Sequence, residues 1–286
     1  MASFHAARRR PSPPHWQLHK PRRQHCGGPG PQLTFPLPMK QIFISLLAAS
    51  GLALATSQAQ AQTTFGIGPK IGYTLSSASF TVADYPDYFS TPSTYGSGFE
   101  AGVVAQVGFG NHFALQPAVL YTRKAPGYGT SSYYQPNNYS YKQEYALKLN
   151  YITVPVNLLY SQRPNGRGGQ VFVGPYVGWL LGGTYTSSTG SGRGTSVSGG
   201  ATSSGDVKPG DTYSKNSTYY IRQLDAGAQI GVGYGFAALQ VQASFSLGLH
   251  NIGAAYAPNA GNPYEAPVIR NRGFQVSAAY LFGPRN

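Results

Sequence analysis

One stretch of the chain alternates without a break. Leu239, Val241, Ala243, Phe245, Leu247 and Leu249 fall on one parity, and Gln240, Gln242, Ser244, Ser246 and Gly248 fall on the other. A period of two is the period of a β-strand, whose successive side chains point to opposite faces of a sheet. One face here is greasy while the other carries amides, hydroxyls and glycines. Two solvents of opposite kind therefore flank one sheet. A soluble sandwich meets that condition, and so does a membrane barrel with lipid outside and a polar lumen inside.

Seven further bursts of the same kind occur, at 65–75, 98–109, 112–123, 144–160, 170–184, 220–236 and 272–282. The first places Phe65, Ile67, Ile71, Tyr73 and Leu75 outward, with Gly66, Gly68, Lys70, Gly72 and Thr74 inward. The fourth changes phase partway. Tyr145, Leu147 and Leu149 share one parity, and Ile152, Val154, Val156, Leu158 and Tyr160 share the other. That shift predicts a β-bulge near Asn150-Tyr151, where Pro155 also withholds a ladder hydrogen bond.

The connectors separate the two architectures. Those at 76–97, 124–143, 185–219 and 250–271 are long and rich in Tyr, Ser, Gly, Asn and Pro, whereas 110–111, 161–169 and 236–237 are short. Long loops at one end and tight turns at the other predict an all-β fold: an eight-stranded antiparallel transmembrane β-barrel with long extracellular loops and short periplasmic turns. Aromatic residues gather at both ends of the strands, at Phe65, Phe109, Phe113, Tyr160, Tyr234, Phe236 and Phe282 near the turns and at Tyr73, Phe99, Tyr121, Tyr145 and Tyr185 near the loops. Two aromatic girdles at two membrane interfaces have that layout.

Residues 39–61 read as a signal peptide. Lys40 opens it, 42–54 form its apolar stretch, and Ala59-Gln60-Ala61 supplies a small-residue cleavage motif, so that Gln62 begins the mature chain. The apolar stretch falls short of the ~18 residues of a spanning helix. Residues 1–38, basic and rich in proline, read as a disordered gene-model extension ahead of the signal, and 62–286 as the barrel domain.

This division settles the charge. The whole chain is +13, from 21 basic and 8 acidic residues. Removing residues 1–61 takes away seven basic residues and no acids, leaving 14 against 8, a net +6. The strong basicity belongs to the segment that is lost, and no nucleic-acid partner is expected. Cys26 lies in the same segment, so the mature part has neither disulfides nor thiolate chemistry.

The inward ionisable residues Lys70, Glu100, Lys148 and Asp225 form the candidate functional set, as a polar network in the lumen. The lumen of an eight-stranded barrel is about wide enough for side chains to fill, and opposite charges there should pair. A structural plug and a narrow ion path both fit. His112 and His250 sit at opposite ends of the strands, with Ser244 and Ser246 inward, which makes a poor catalytic triad and a poor metal site. No catalytic residue, cofactor or metal is expected. Gly231-Val-Gly233-Tyr-Gly235 lies within a strand with no helix after it, so it is no dinucleotide loop. The Ser/Gly-rich stretch 187–205 reads as a flexible surface loop, and the Tyr-rich stretch 133–145 as a loop able to bind carbohydrate or protein.

Tyr151-Ile-Thr-Val-Pro-Val-Asn-Leu-Leu-Tyr160 with Val173-Gly-Pro-Tyr-Val-Gly178, and Asp225-Ala-Gly-Ala-Gln-Ile-Gly-Val-Gly-Tyr234 with Ser246-Leu-Gly-Leu-His-Asn-Ile252, resemble the PorT-like outer-membrane β-barrel family. The resemblance implies an eight-stranded barrel in the outer membrane of a Bacteroidota-type bacterium, and it implies no catalytic motif. Phe282 resembles the terminal aromatic read by barrel-assembly machinery, although Gly283-Pro-Arg-Asn286 follows it. The expected function is non-enzymatic: a structural, surface-interaction or assembly role. A narrow porin-like channel is the alternative, and a barrel-embedded hydrolase centred on His250 the second. Expected partners are outer-membrane lipid, the assembly machinery with periplasmic chaperones, and a surface ligand held by the long loops.

Overall fold

The computed structural model describes residues 64–81, 89–90, 92–194, 197–198, 200–213, 218–256 and 267–283. The signal segment, with Ala59, Ala61 and Gln62, and residues 1–38 lie outside the described residues.

Eight strands carry the fold: β1 (Phe65–Thr81), β2 (Gly96–Phe109), β3 (Phe113–Lys124), β4 (Tyr139–Arg163), β5 (Arg167–Arg193), β6 (Leu224–Phe236), β7 (Leu239–Gly248) and β8 (Val268–Tyr280). Each pairs antiparallel with its neighbours in sequence, from β1 with β2 through to β7 with β8. The first also pairs with the last, Lys70 opposite Ala279 and Thr81 opposite Val268. Every one of the eight therefore has two neighbours, and the path of pairings returns to its start. Phe282 extends the last pairing, since Phe282 and Ile67 exchange backbone hydrogen bonds at 2.8 and 2.9 Å.

Tight turns join the strands at one end. Gly110 takes a positive φ of 65° between β2 and β3, Ala237 one of 37° between β6 and β7, and a 3₁₀ turn at Pro164–Gly166 joins β4 to β5. At the other end the strands run further than their hydropathy predicts. β4 has 25 residues and β5 has 27, against the ~9–11 that cross a bilayer. Further strands flank this tall hairpin. Gly127–Tyr134 pairs with the first part of β4, and Thr202–Pro209 pairs with the last part of β5 and then, in parallel, with Tyr219–Ile221. The expectation of loops at 133–145 and 187–205 is thus corrected. The first stretch lies in a hairpin, and the second is strand up to Arg193 and again from Thr202. Ser, Thr, Tyr and Gly there carry no hydropathy contrast, so the period of two was invisible, yet the ladder forms because a partner edge is at hand.

The bulge falls at the expected level but on the other strand. Asn150 pairs with Gly182 and Tyr151 with Leu180, so Leu181 on β5 is the unpaired residue. β4 keeps one phase throughout: Leu147, Leu149, Tyr151, Thr153, Asn157 and Leu159 are all buried. β5 changes phase instead. Its buried residues are Phe172, Tyr176 and Leu180 before the bulge and Ser187 after it. Gly182 has a φ of +144°, which side chains rarely tolerate. Gly182→Val should cost about 1–3 kcal/mol, read as a lower urea midpoint of the folded protein in lipid vesicles. An unchanged midpoint would show that the bulge does not depend on this backbone angle.

Candidate functional site

The outward face of the ring is apolar over one zone only. Phe65, Ile71 and Tyr73 on β1, Val103 on β2, Val119 on β3, Val173 and Leu181 on β5, Ile230 and Val232 on β6, and Phe274 and Val276 on β8 are all exposed. Soluble monomers rarely expose a contiguous apolar patch beyond a few hundred Å², and here the patch runs around every strand. Its turn-side rim carries Phe65, Phe109, Phe113, Tyr160, Tyr234, Phe236 and Phe282, all exposed as expected. Its loop-side rim carries Tyr73, Phe99 and Trp179. Tyr145 and Tyr185, expected there, instead turn inward against a buried cluster.

Beyond that rim the polarity inverts. On β4 the outward residues pass from Leu158 and Val154 to Lys148, Glu144 and Lys142, all exposed. The inward residues pass from Asn157 and Thr153 to Tyr151, Leu149 and Leu147, all buried. Lys148 is thus corrected from the lumen to the surface. Apolar parity marks the lipid-facing side of a strand only where lipid is outside. The buried Leu147 and Leu149 join Ala78, Tyr128, Leu180, Val207, Ile221, Ile252 and Ile269 in one apolar cluster that caps the loop-side end of the ring.

Beneath the cap the remaining candidates are inside, and one partner was missed. Asp225 is fully buried and accepts hydrogen bonds through Oδ2 from Lys124 Nζ at 2.7 Å and Asn271 Nδ2 at 2.8 Å. Its Oδ1 takes the Tyr176 hydroxyl at 3.4 Å. Lys124 Nζ also lies 4.7 Å from the Tyr176 ring centre and 5.3 Å from that of Tyr151, within cation–π range. Alternation does not reveal Lys124, the last residue of β3, because the pattern stops at the adjoining Ala125-Pro126. Lys70 and Glu100 form the second pair, with Nζ 3.5 Å from Oε1. These four are the buried charged residues among those described, two cations against two anions.

Nearer the turns, amides tie the bore across. Gln116 on β3 donates to Gln240 on β7 at 2.8 Å, Gln240 to Gln106 at 2.6 Å, and Gln242 to Gln116 at 3.0 Å. Gln229 on β6 donates to Asn157 on β4 at 2.8 Å. Phe172, Leu159, Val104 and Leu120 fill the gaps between them. The space left beside Lys70, Glu100, Thr122 and Thr153 measures about 20 Å³, room for one water.

The serines near His250 are engaged elsewhere. Ser246 accepts from Gln275 Nε2 at 2.7 Å and donates to Gly273 O, and Ser244 donates to Gln275 Oε1 at 3.0 Å. His112 Nδ1 donates to the Ser161 carbonyl at 2.8 Å, closing the β3–β4 end.

Breaking the Lys124–Asp225 pair from one side leaves an uncompensated buried charge. Lys124→Met should cost about 3–5 kcal/mol, and adding Asp225→Asn should recover most of it. Urea unfolding of the single and double variants measures the difference. Equal losses in both would mean that packing rather than charge holds the cluster.

A family model described as an outer membrane protein beta-barrel domain matches residues 58–253. No curated protein matches the chain. Among solved structures, Ail of Yersinia pestis is 11% identical, over 77% of this chain and 99% of its own, with a TM-score of 0.31. OprG of Pseudomonas aeruginosa is 8% identical, over 78% of this chain and 98% of its own, with a TM-score of 0.34. Neisserial surface protein A is 13% identical, over 76% and 97%, with a TM-score of 0.31.

Proposed function

Since the chain belongs to the outer membrane protein beta-barrel domain family, we propose that it is a sealed eight-stranded transmembrane barrel acting, without catalysis, through what it displays at the cell surface. The outer membrane of a bacterium is its location. The observation that carries the reading is the apolar cap. Leu147, Leu149, Tyr151, Leu180, Ile221, Ile252 and Ile269 are each at most 2% exposed and stand across the loop-side end of the bore. The cross-bore pairs and amides add a second obstruction beneath them. The balanced charges of Lys70 with Glu100 and Lys124 with Asp225 also differ from the single-sign ring that selects ions in a pore.

The sequence and the same features support a finer placement as part of this reading. The loop-side extensions of β4 and β5 are extracellular and the tight turns are periplasmic, with the segment ending at Ala61 removed on export. The segments 151–160, 173–178, 225–234 and 246–252 support a place in the PorT-like branch. Phe282, paired to Ile67 at the seam between first and last strands, is the residue that the assembly machinery would read. The hydroxyls of Ser244 and Ser246, committed to Gln275 and Gly273, favour the non-enzymatic reading over a hydrolase.

Cys26 is the only cysteine of the chain, so single cysteines introduced into the barrel report sidedness cleanly. Ser188→Cys should react with a membrane-impermeant maleimide on intact cells, and Asn111→Cys only after permeabilisation. The opposite pattern would invert the barrel and defeat the surface reading. Purified protein in planar bilayers should show no discrete conductance steps. Steps that vanish when Glu100 and Asp225 are neutralised would establish the porin-like alternative instead.

Lipid contact has its own test. Val232→Arg in the outward belt should cost about 2–4 kcal/mol on unfolding from vesicles, whereas Thr186→Arg, beyond the loop-side rim, should cost almost nothing. Equal costs would place both positions in the same medium.

A further inference from the structure

Arg123 is the last outward residue of β3, on the parity of Tyr121 and Val119. It stands opposite Phe99 on β2 and Asn150 on β4. Phe99 belongs to the loop-side aromatic rim, so the Arg123 side chain starts from that level. Lys148, the next outward residue of β4 beyond Asn150, is exposed. Diagonal neighbours of this kind stand about 7–8 Å apart on one face of a sheet. Two long cationic side chains and one amide therefore share a small patch. Tyr121, Ile152 and Trp179 border it on the side of the apolar belt.

The two cations stand apart from the protein's own acids. Among the described residues, neither side chain has an ion pair or a hydrogen bond. Glu144, further along β4, is taken up by Lys142 at 2.7 Å. Asp206 pairs with Thr184, which pairs with Lys148, so this acid lies two strands away. Lys208 follows Asp206 on the same parity of its strand. The neighbours of Arg123, Asn150 and Lys148 on β2, β3, β4 and β5 all belong to the described residues.

Depth identifies the partner. Aromatic rims mark the level of lipid headgroups, and the phosphates of a leaflet lie there. Arginine and lysine lay their stems along apolar surface and carry their charge to the interface. A guanidinium fork takes two phosphate oxygens at once, and an ammonium can take a third. Asn150 adds a neutral donor between them. Beside Phe99, a trough of about 450 Å³ passes Ala101 and Ala278 on the lipid side and admits an acyl chain. A soluble polyanion could reach Lys148, but it would meet Arg123 only from within the headgroup layer. We propose that Arg123, Asn150 and Lys148 bind the phosphate of an anionic lipid in the outer leaflet. The proposal rests on the membrane placement above and gives the barrel a specific lipid partner.

Native mass spectrometry of the folded protein from neutral detergent micelles tests it. The probes are dioctanoyl phosphatidic acid, dioctanoyl phosphatidylcholine and glycerol 3-phosphate. Phosphatidic acid should be retained as a single adduct, about tenfold more tightly than zwitterionic phosphatidylcholine. Arg123→Gln and Lys148→Gln should each weaken that binding about fivefold. Arg123→Lys, which keeps the charge and loses the fork, should weaken it less than Arg123→Gln. Lys142→Gln, on the same parity of β4 but paired with Glu144, should leave it unchanged. Heat-modifiable gel mobility identifies variants that remain folded. Equal retention of phosphatidylcholine would overturn the site, and so would glutamine variants that bind phosphatidic acid as the parent does. Equal binding of glycerol 3-phosphate would overturn the lipid source. Tighter retention of a dextran sulfate oligomer would assign the patch to a soluble polyanion and overturn it too. Equal costs for Val232→Arg and Thr186→Arg would instead overturn the membrane placement itself.

Discussion

Hydrocarbon accepts no hydrogen bonds, and the rest of the structure follows from that. A backbone crossing it must pair every amide within the protein, and a sheet does so only if no strand is left at an edge. The antiparallel pairings supply this, with β1 against β8 closing the path that the six intervening strands begin. Once the backbone is satisfied, the side chains sort by medium. Valine, isoleucine and phenylalanine face outward along the belt, and the polar residues face a bore too narrow for bulk water.

The two buried ion pairs show how that bore is governed. Drawing four charges out of water is expensive, and the attraction within each pair offsets the cost only with good geometry and further hydrogen bonds. Asp225 meets that condition best, with Lys124, Asn271 and Tyr176 supplied from three other strands. A one-residue slip of β3 or β6 would leave a buried charge without its partner, and one of β5 or β8 would remove a hydrogen bond from Asp225. The amides of Gln106, Gln116, Gln240 and Gln242 impose a milder form of the same requirement nearer the turns. These contacts specify register more than they add stability.

Much of the architecture was legible in the sequence. The turn-side ends of the eight strands to within about three residues, the outward parities within the belt of all but β5, and the inward placement of Lys70, Glu100 and Asp225 follow from the sequence. What failed did so for one reason. Parity tells which residues share a face, but only the surrounding medium tells which face is out. Beyond Trp179 and Tyr73 the outside is water, so Leu147 and Leu149 turn in and Lys148 turns out. The same change of medium made a bulge on β5 look like one on β4, because the apparent phase shift of β4 is a change of solvent along an unbroken strand. Lys124 was hidden differently, by standing where a strand ends against Ala125-Pro126.

The height of the β4–β5 hairpin also bears on how such a chain enters a membrane. Its loop-side ends, the start of β4 and the end of β5, can reach the far side only by crossing the lipid first. Lys142, Glu144 and Lys148 on β4 must pass through the hydrocarbon before they reach water again, and so must Arg270 on β8. Each lysine or arginine meets a barrier of about 2–4 kcal/mol at the midplane, and the rims beyond the bilayer give nothing back during transit. Rates rather than equilibria therefore separate this barrel from one with short strands. Spontaneous insertion into a thick bilayer is therefore expected to be slow for this chain, and local thinning of the bilayer to speed it.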